Sequence, residues 1–160
     1  MGGTQTDSGT AAQPGTTPVF TARAHITGGR DGRATTDRGY PELALAVPAE
    51  LGGKGGAGPE ATNPEELFAM AYGACFLSAL CFLARQQKLS AKAFELDSTV
   101  VLGQEEGGAM GLAVELRASL PGVDHAKAAE VMHAAHDACP YSRATRGNVP
   151  VRLLVGDEPV

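Results

Sequence analysis

The stretch NPEELFAMAYGACFLSALCFL, residues 63–83, constrains the fold more than any other part of the chain, because no residue from 67 to 84 is charged. Its start is well signalled. Thr62 or Asn63 can cap a helix, Pro64 suits the first helical turn, and Glu65 and Glu66 complement the positive end of the helix dipole. A helix that is apolar nearly all round has to be enclosed by protein on most sides. The sequence therefore predicts a core helix, with Cys75 midway along it. A second cysteine, Cys139, opens the segment CPYSRATRGN.

The flanking segments predict strands around that helix. VFTARAHI, residues 19–26, alternates Val19, Thr21, Arg23 and His25 against Phe20, Ala22, Ala24 and Ile26, the period of a half-buried strand. GGRDG reads as a turn, RATT and ELALAV as short strands, and PAELGGKGGAGPEAT as a glycine-rich loop leading into the helix. After the helix, residues 94–120 predict two antiparallel strands joined at Glu-Glu-Gly-Gly. DHAKAAEVMHAAHDA follows as an amphipathic helix with Ala128, Val131, Met132 and Ala135 toward the core, ended by Pro140. The last strand is VPVRLLV. This order gives an α+β domain with mainly antiparallel pairing. It extends over residues 18–160, preceded by a tail, residues 1–17, too poor in apolar side chains to offset the entropy of ordering it.

Composition excludes several classes of function. The net charge is −5, from 13 basic and 18 acidic residues, and no basic cluster is interleaved with aromatics as a nucleic-acid surface requires. The N-terminus lacks a secretory signal pattern, and no apolar run reaches the roughly 18 residues of a membrane span. The three cysteines are an odd number in a chain that does not depend on disulfide staples, which suits the reducing cytoplasm. No nucleic-acid or membrane partner is expected.

Three motifs weigh less than they promise. GKGGAG, residues 53–58, matches Gly-x-Gly-x-x-Gly, but residues 48–52 separate it from the preceding strand and an antiparallel hairpin follows, so no dinucleotide cofactor is expected. His133, His136 and Cys139 recur at intervals of three, yet no fourth strong ligand is evident and Pro140 distorts the helix at Cys139, so no metal is expected. Cys81 stands about 240° around the helix from Cys75 and is a small buried hydrophobe. CPYSRATRGN, by contrast, gathers proline, small polar residues and two arginines after a helix end: a poor core segment, but a suitable wall for a reactive site.

NPEELFAMAYGACFLSAL and CPYSRATRGNVPV, together with GGRDG and LGGKGGAG, resemble the organic hydroperoxide resistance (Ohr) proteins of the Ohr/OsmC-like superfamily, over about residues 19–155. The leading tail, the longer loop at GPEAT and Arg143, where Asn is common, depart from the family pattern. The resemblance implies the OsmC-like fold, with a sheet around a central buried helix in an intertwined homodimer. It also implies a thiol peroxidase that reduces organic and fatty-acid hydroperoxides and is recycled by a dithiol such as a lipoyl group. In it Cys75 is the peroxidatic cysteine, Cys139 the resolving one, Arg30 the cation that stabilises the thiolate and Glu65 the carboxylate that orients Arg30.

Elementary chemistry agrees with these roles. Only a thiolate attacks a peroxide, and apolar burial disfavours the thiolate. The helix dipole fades within the first turn and Cys75 lies about ten residues in, so a nearby cation is required. Arginine remains charged when partly buried, and its fork can hold a carboxylate and face the sulfur at once. Glu65 lies about 15 Å from Cys75 along a continuous helix. Either the helix breaks near Gly73 or, as we favour, Glu65 serves the Cys75 of a partner subunit. Phe68, Met70, Tyr72 and Phe76 are candidates to line a pocket for a hydrocarbon tail. The alternatives are a redox sensor or apolar-ligand carrier built on the same thiols, and a metal protein using His133, His136 and Cys139.

Overall fold

The computed structural model describes residues 17–54 and 60–160. Apart from Thr17, the predicted tail over residues 1–17 lies outside them, as do residues 55–59 of the glycine-rich loop. The chain divides after Thr62 into two compact units.

The first unit is a four-stranded sheet. β1 (Ala24–Thr27) pairs antiparallel with β2 (Gly32–Thr36), which pairs antiparallel with β3 (Leu43–Leu45), and β3 runs parallel to β4 (Ala61–Thr62). GGRDG makes the β1–β2 turn with Gly28 and Gly29 at φ of 72° and 63°. A Cβ at Gly32 would lie 1.9 Å from the Thr27 carbonyl oxygen, so only glycine fits there. β1 is shorter than the strand predicted over residues 19–26, and all four of its residues are exposed rather than half-buried. Alternation in a sequence gives a strand its two faces but nothing to cover either. Among the described residues, Leu45 is the one buried hydrophobic side chain of this unit.

The second unit begins with α1 (Pro64–Gln86), capped as the sequence predicts: Asn63 Oδ1 accepts the Glu66 N–H at 2.9 Å and Pro64 occupies the first turn. The helix runs unbroken through Gly73. Tyr72, Phe76, Leu80 and Ala84 are fully buried, one residue per turn along a single stripe. The predicted enclosure on most sides is not what this chain provides: Met70 and Phe82 are each 58% exposed. The prediction that no apolar run reaches membrane-spanning length also fails. By length and composition α1 is long and apolar enough to cross a bilayer, although 28% of its most apolar window is buried inside the protein. Its alanines, glycine and serine carry no charge, and together with the larger apolar residues they complete the window.

The sheet behind α1 consists of β5 (Glu95–Gln104), β6 (Met110–Ser119), β7 (Val151–Val155) and β8 (Glu158–Pro159), in that order. β5 and β6 form the predicted hairpin, β7 and β8 are antiparallel, and β7 runs parallel to β6. Between β6 and β7 the chain crosses over through α2 (His125–Ala138) and α3 (Pro140–Thr145). The predicted residues Ala128, Val131, Met132 and Ala135 of α2 are all buried, and with Val114, Leu116, Ala118, Leu153 and the α1 stripe they form one core. α3 was not foreseen, because CPYSRATRGN reads as loop. The missed signal is Pro140, which ends α2 and, with its fixed φ, occupies the first turn of the next helix.

Gly73 sets how closely α1 approaches β5, since a Cβ there would lie 2.9 Å from Ser98 Cβ. Gly73→Ala gains about 1 kcal/mol of helix propensity but forces a shift in packing that costs about 1–3 kcal/mol. Urea unfolding should show a net loss of stability. Gly103→Ala, where a Cβ would meet nothing within 4 Å, should leave the midpoint nearly unchanged. Stabilisation by Gly73→Ala would show that the α1–β5 contact is loose.

Candidate active site

Cys75 and Cys139 meet in the second unit. Cys75 projects from the middle of α1 and is partly buried, whereas Cys139, at the junction of α2 and α3, is completely buried. Cys139 takes extended dihedrals, φ −63° and ψ 125°, which end α2 and turn its side chain back onto α1. The two sulfurs are 3.7 Å apart, with the Cys139 thiol placed to donate to Cys75 Sγ. A disulfide needs a separation of about 2.05 Å, so a small approach of α3 toward α1 closes the bond.

Burial is the first cause that pushes the Cys75 thiol above its ordinary pKa, and the Cys139 sulfur is the second. A backbone hydrogen bond from Tyr141 acts the other way. That N–H lies in the first turn of α3, where helical amides have no intrahelical partner, so it is available to the sulfur.

Aromatic rings and hydroxyls hold the α3 side of the site. Tyr72 stacks on Tyr141 with centroids 5.7 Å apart, and Phe68 lies 5.8 Å from Tyr72 and 6.2 Å from Tyr141. The Tyr72 hydroxyl donates to Ser142 Oγ at 2.9 Å and is 3.3 Å from Thr145 Oγ1. Thr145 in turn donates to the Tyr141 carbonyl oxygen at 2.9 Å. Sequence patterns singled out neither Ser142, Thr145 nor Tyr141, and the one available clue was the density of hydroxyls directly after Cys139.

The other predicted residues fall in several places. Arg30 lies in the β1–β2 turn of the first unit. Glu65 lies in the first turn of α1, ten residues before Cys75 on an unbroken helix, so a break near Gly73 does not bring it to its own chain's Cys75. Of the four candidate pocket residues, Tyr72 and Phe76 are fully buried and can serve the site only as its floor. Phe68 is partly buried beside Tyr141, and Met70 lines a groove with Ala69, Gly73, Leu77, Leu96 and Ser98 that contains neither cysteine. Cys81 sits apart, its thiol 3.9 Å from the Ala91 carbonyl oxygen. Among the described residues no three His, Cys, Asp or Glu side chains converge to hold a metal. Cys139 is committed to Cys75, and burial together with Arg146 lowers the pKa of His136.

The second unit is thus an α+β unit that sets a cysteine of its long helix 3.7 Å from a cysteine at a helix junction. Residues 53–154 match the family model described as OsmC-like protein. The organic hydroperoxide resistance protein of Xanthomonas axonopodis pv. citri is 47% identical over 86% of this chain and 94% of its own length. The organic hydroperoxide resistance protein OhrB of Bacillus subtilis is 40% identical over 84% and 96%. The crystal structure of an organic hydroperoxide resistance protein from Legionella pneumophila superposes with a TM-score of 0.80 at 42% identity, covering 88% of this chain and 99% of that one. The chain belongs to the OsmC-like family, in its organic hydroperoxide resistance branch.

The sulfur geometry predicts that mild oxidation with diamide yields a Cys75–Cys139 disulfide, seen as a loss of two hydrogens and one crosslinked peptide pair, while Cys81 stays titratable. A Cys75–Cys81 crosslink would contradict the arrangement.

Proposed function

We propose that the protein is a cysteine peroxidase that reduces organic hydroperoxides to alcohols. The observation that carries this reading is the 3.7 Å approach of Cys139 Sγ to Cys75 Sγ. The Cys75 thiolate attacks the O–O bond, the alkoxide leaves as alcohol after taking a proton, and Cys75 becomes a sulfenic acid. Cys139 then attacks the Cys75 sulfur, water leaves, and the resulting disulfide is reduced by a dithiol through exchange. We assign the dithiol to a lipoyl group on a partner protein, in line with the family resemblance. Neither metal nor organic cofactor enters this cycle.

On this reading Arg30, oriented by the Glu65 of a second copy of the chain, supplies the cation that the surroundings of Cys75 in the second unit do not. Burial pushes the Cys75 pKa up, and the thiolate needs a cation to offset that. Arg30, held in a turn that only glycines permit, is our choice for it, with Glu65 orienting its guanidinium. Because α1 is continuous, Glu65 acts on this reading at the Cys75 of a second copy of the chain. The exposed side of α1, with Met70, Ala74, Ser78 and Phe82, supports a homodimer in which the partner covers it, as opposed to insertion in a membrane. Phe68, partly buried beside Tyr141, then takes the hydrocarbon tail over a floor of Tyr72 and Phe76, while Met70 belongs to the side that the partner covers. A soluble cytoplasmic location fits thiols that must be re-reduced.

Steady-state turnover with dihydrolipoamide should consume many equivalents of tert-butyl hydroperoxide and fewer of hydrogen peroxide, and Cys75→Ser should abolish it while Cys81→Ser leaves most of it. A protein oxidised once without turnover would instead be a redox sensor.

Arg30→Ala should slow Cys75 oxidation at neutral pH by more than about threefold, above ~0.7 kcal/mol of barrier. Only the thiolate reacts, so a raised pKa leaves less of it at a given pH, and the rising limb of the rate profile should move to higher pH in this variant. An unmoved limb and a rate within threefold of wild type would remove Arg30 from the mechanism.

A further inference from the structure

The α3 helix has six residues, too few to be stable by itself, yet it carries both groups that face Cys75: Cys139 at its N-cap and the Tyr141 N–H in its first turn. Something has to hold it against α1. Tyr72 is three residues before Cys75 on the same side of α1, so phenol and thiol address the same stretch of α3. The Tyr72 hydroxyl reaches Ser142 Oγ and Thr145 Oγ1, which lie three residues apart on the buried side of α3. Its ring stacks on Tyr141. Ser142 and Thr145 are the buried polar residues of the described core; Thr145 keeps the Tyr141 carbonyl if the phenol is lost, so the loss falls on the fully buried Ser142 hydroxyl.

We propose that Tyr72 is a positioning residue: by gripping Ser142 and Thr145 it fixes α3 so that Cys139 meets the Cys75 sulfenic acid, and thereby sets how much of that acid is resolved and how much is overoxidised. The proposal rests on the peroxidase reading above. Two reactions compete for the intermediate. In the first, Cys75–SOH and Cys139–SH form the disulfide and release water. In the second, Cys75–SOH takes an oxygen from another hydroperoxide molecule, giving Cys75–SO₂H and an alcohol. The second needs no help from α3. The first depends on the position of one sulfur, and misplacement by about 1 Å is worth up to about a hundredfold in rate.

The test compares wild type, Tyr72→Phe and Ser142→Ala, each cycled with tert-butyl hydroperoxide and dihydrolipoamide, with mass spectrometry counting Cys75 sulfinic acid formed per turnover. This ratio is unaffected by the fraction of protein folded, so general destabilisation does not move it. Tyr72→Phe keeps the ring and removes only the hydroxyl. We expect sulfinic acid per turnover to rise by about tenfold, with a smaller rise in Ser142→Ala. A ratio within about twofold of wild type in Tyr72→Phe overturns the proposal, whatever its urea midpoint. If Tyr72→Phe does not fold, an unchanged ratio in Ser142→Ala overturns it equally. A wild type that forms no Cys75–Cys139 disulfide and does not turn over would instead defeat the peroxidase reading itself.

Discussion

Burial of one stripe of α1 against the sheet and α2 is the constraint on which the rest of the second unit depends. Tyr72, Phe76, Leu80 and Ala84 are all removed from solvent, and burying side chains of this size contributes about 1.5–3 kcal/mol for each of the larger ones. That stripe fixes the helix in rotation as well as in place. Gly73 lets it settle against Ser98, and Cys75, beside the stripe, is carried to the point where the α2–α3 junction returns. A rotation of α1 by one residue, about 100°, would take the thiol away from Cys139.

The same burial creates the chemical difficulty that the site has to solve. An apolar wall disfavours the thiolate, and the Cys75 pKa is raised accordingly. Within the unit the opposing influence is a single backbone N–H, from Tyr141. A peroxidase working near neutral pH requires more than that, which is why Arg30, the carboxylate of Glu65 and a second copy of the chain enter our account together. Cys139 shares the same enclosure and is fully buried.

Much of this was legible in the sequence, and the gaps have physical causes. The capping of α1 by Asn63 and Pro64, the β5–β6 hairpin and the buried set Ala128, Val131, Met132 and Ala135 all follow from local patterns, because caps, turns and periodicity act over a few residues. The pairing of Cys75 with Cys139 came from resemblance, and the structure brings the two together. What local patterns cannot supply is the neighbour. β1 reads as half-buried but has no cover within its unit, and α1 reads as enclosed but shows Met70 and Phe82 to solvent. Tyr72 and Phe76 look like pocket residues as readily as core, since both roles use the same apolar side chains. α3 was hidden by Pro140, which serves at once as the end of one helix and the start of the next.

The central claim is that Cys75 alone performs the attack and that Cys139 acts only afterwards. The most direct test is to give Cys139→Ser protein one equivalent of tert-butyl hydroperoxide and follow the protein by mass spectrometry and the alcohol by chromatography. The account predicts one alcohol per protein and a gain of one oxygen on Cys75, with a second oxygen added only when more peroxide is supplied. A Cys139→Ser protein that fails to reduce even the first equivalent would contradict it.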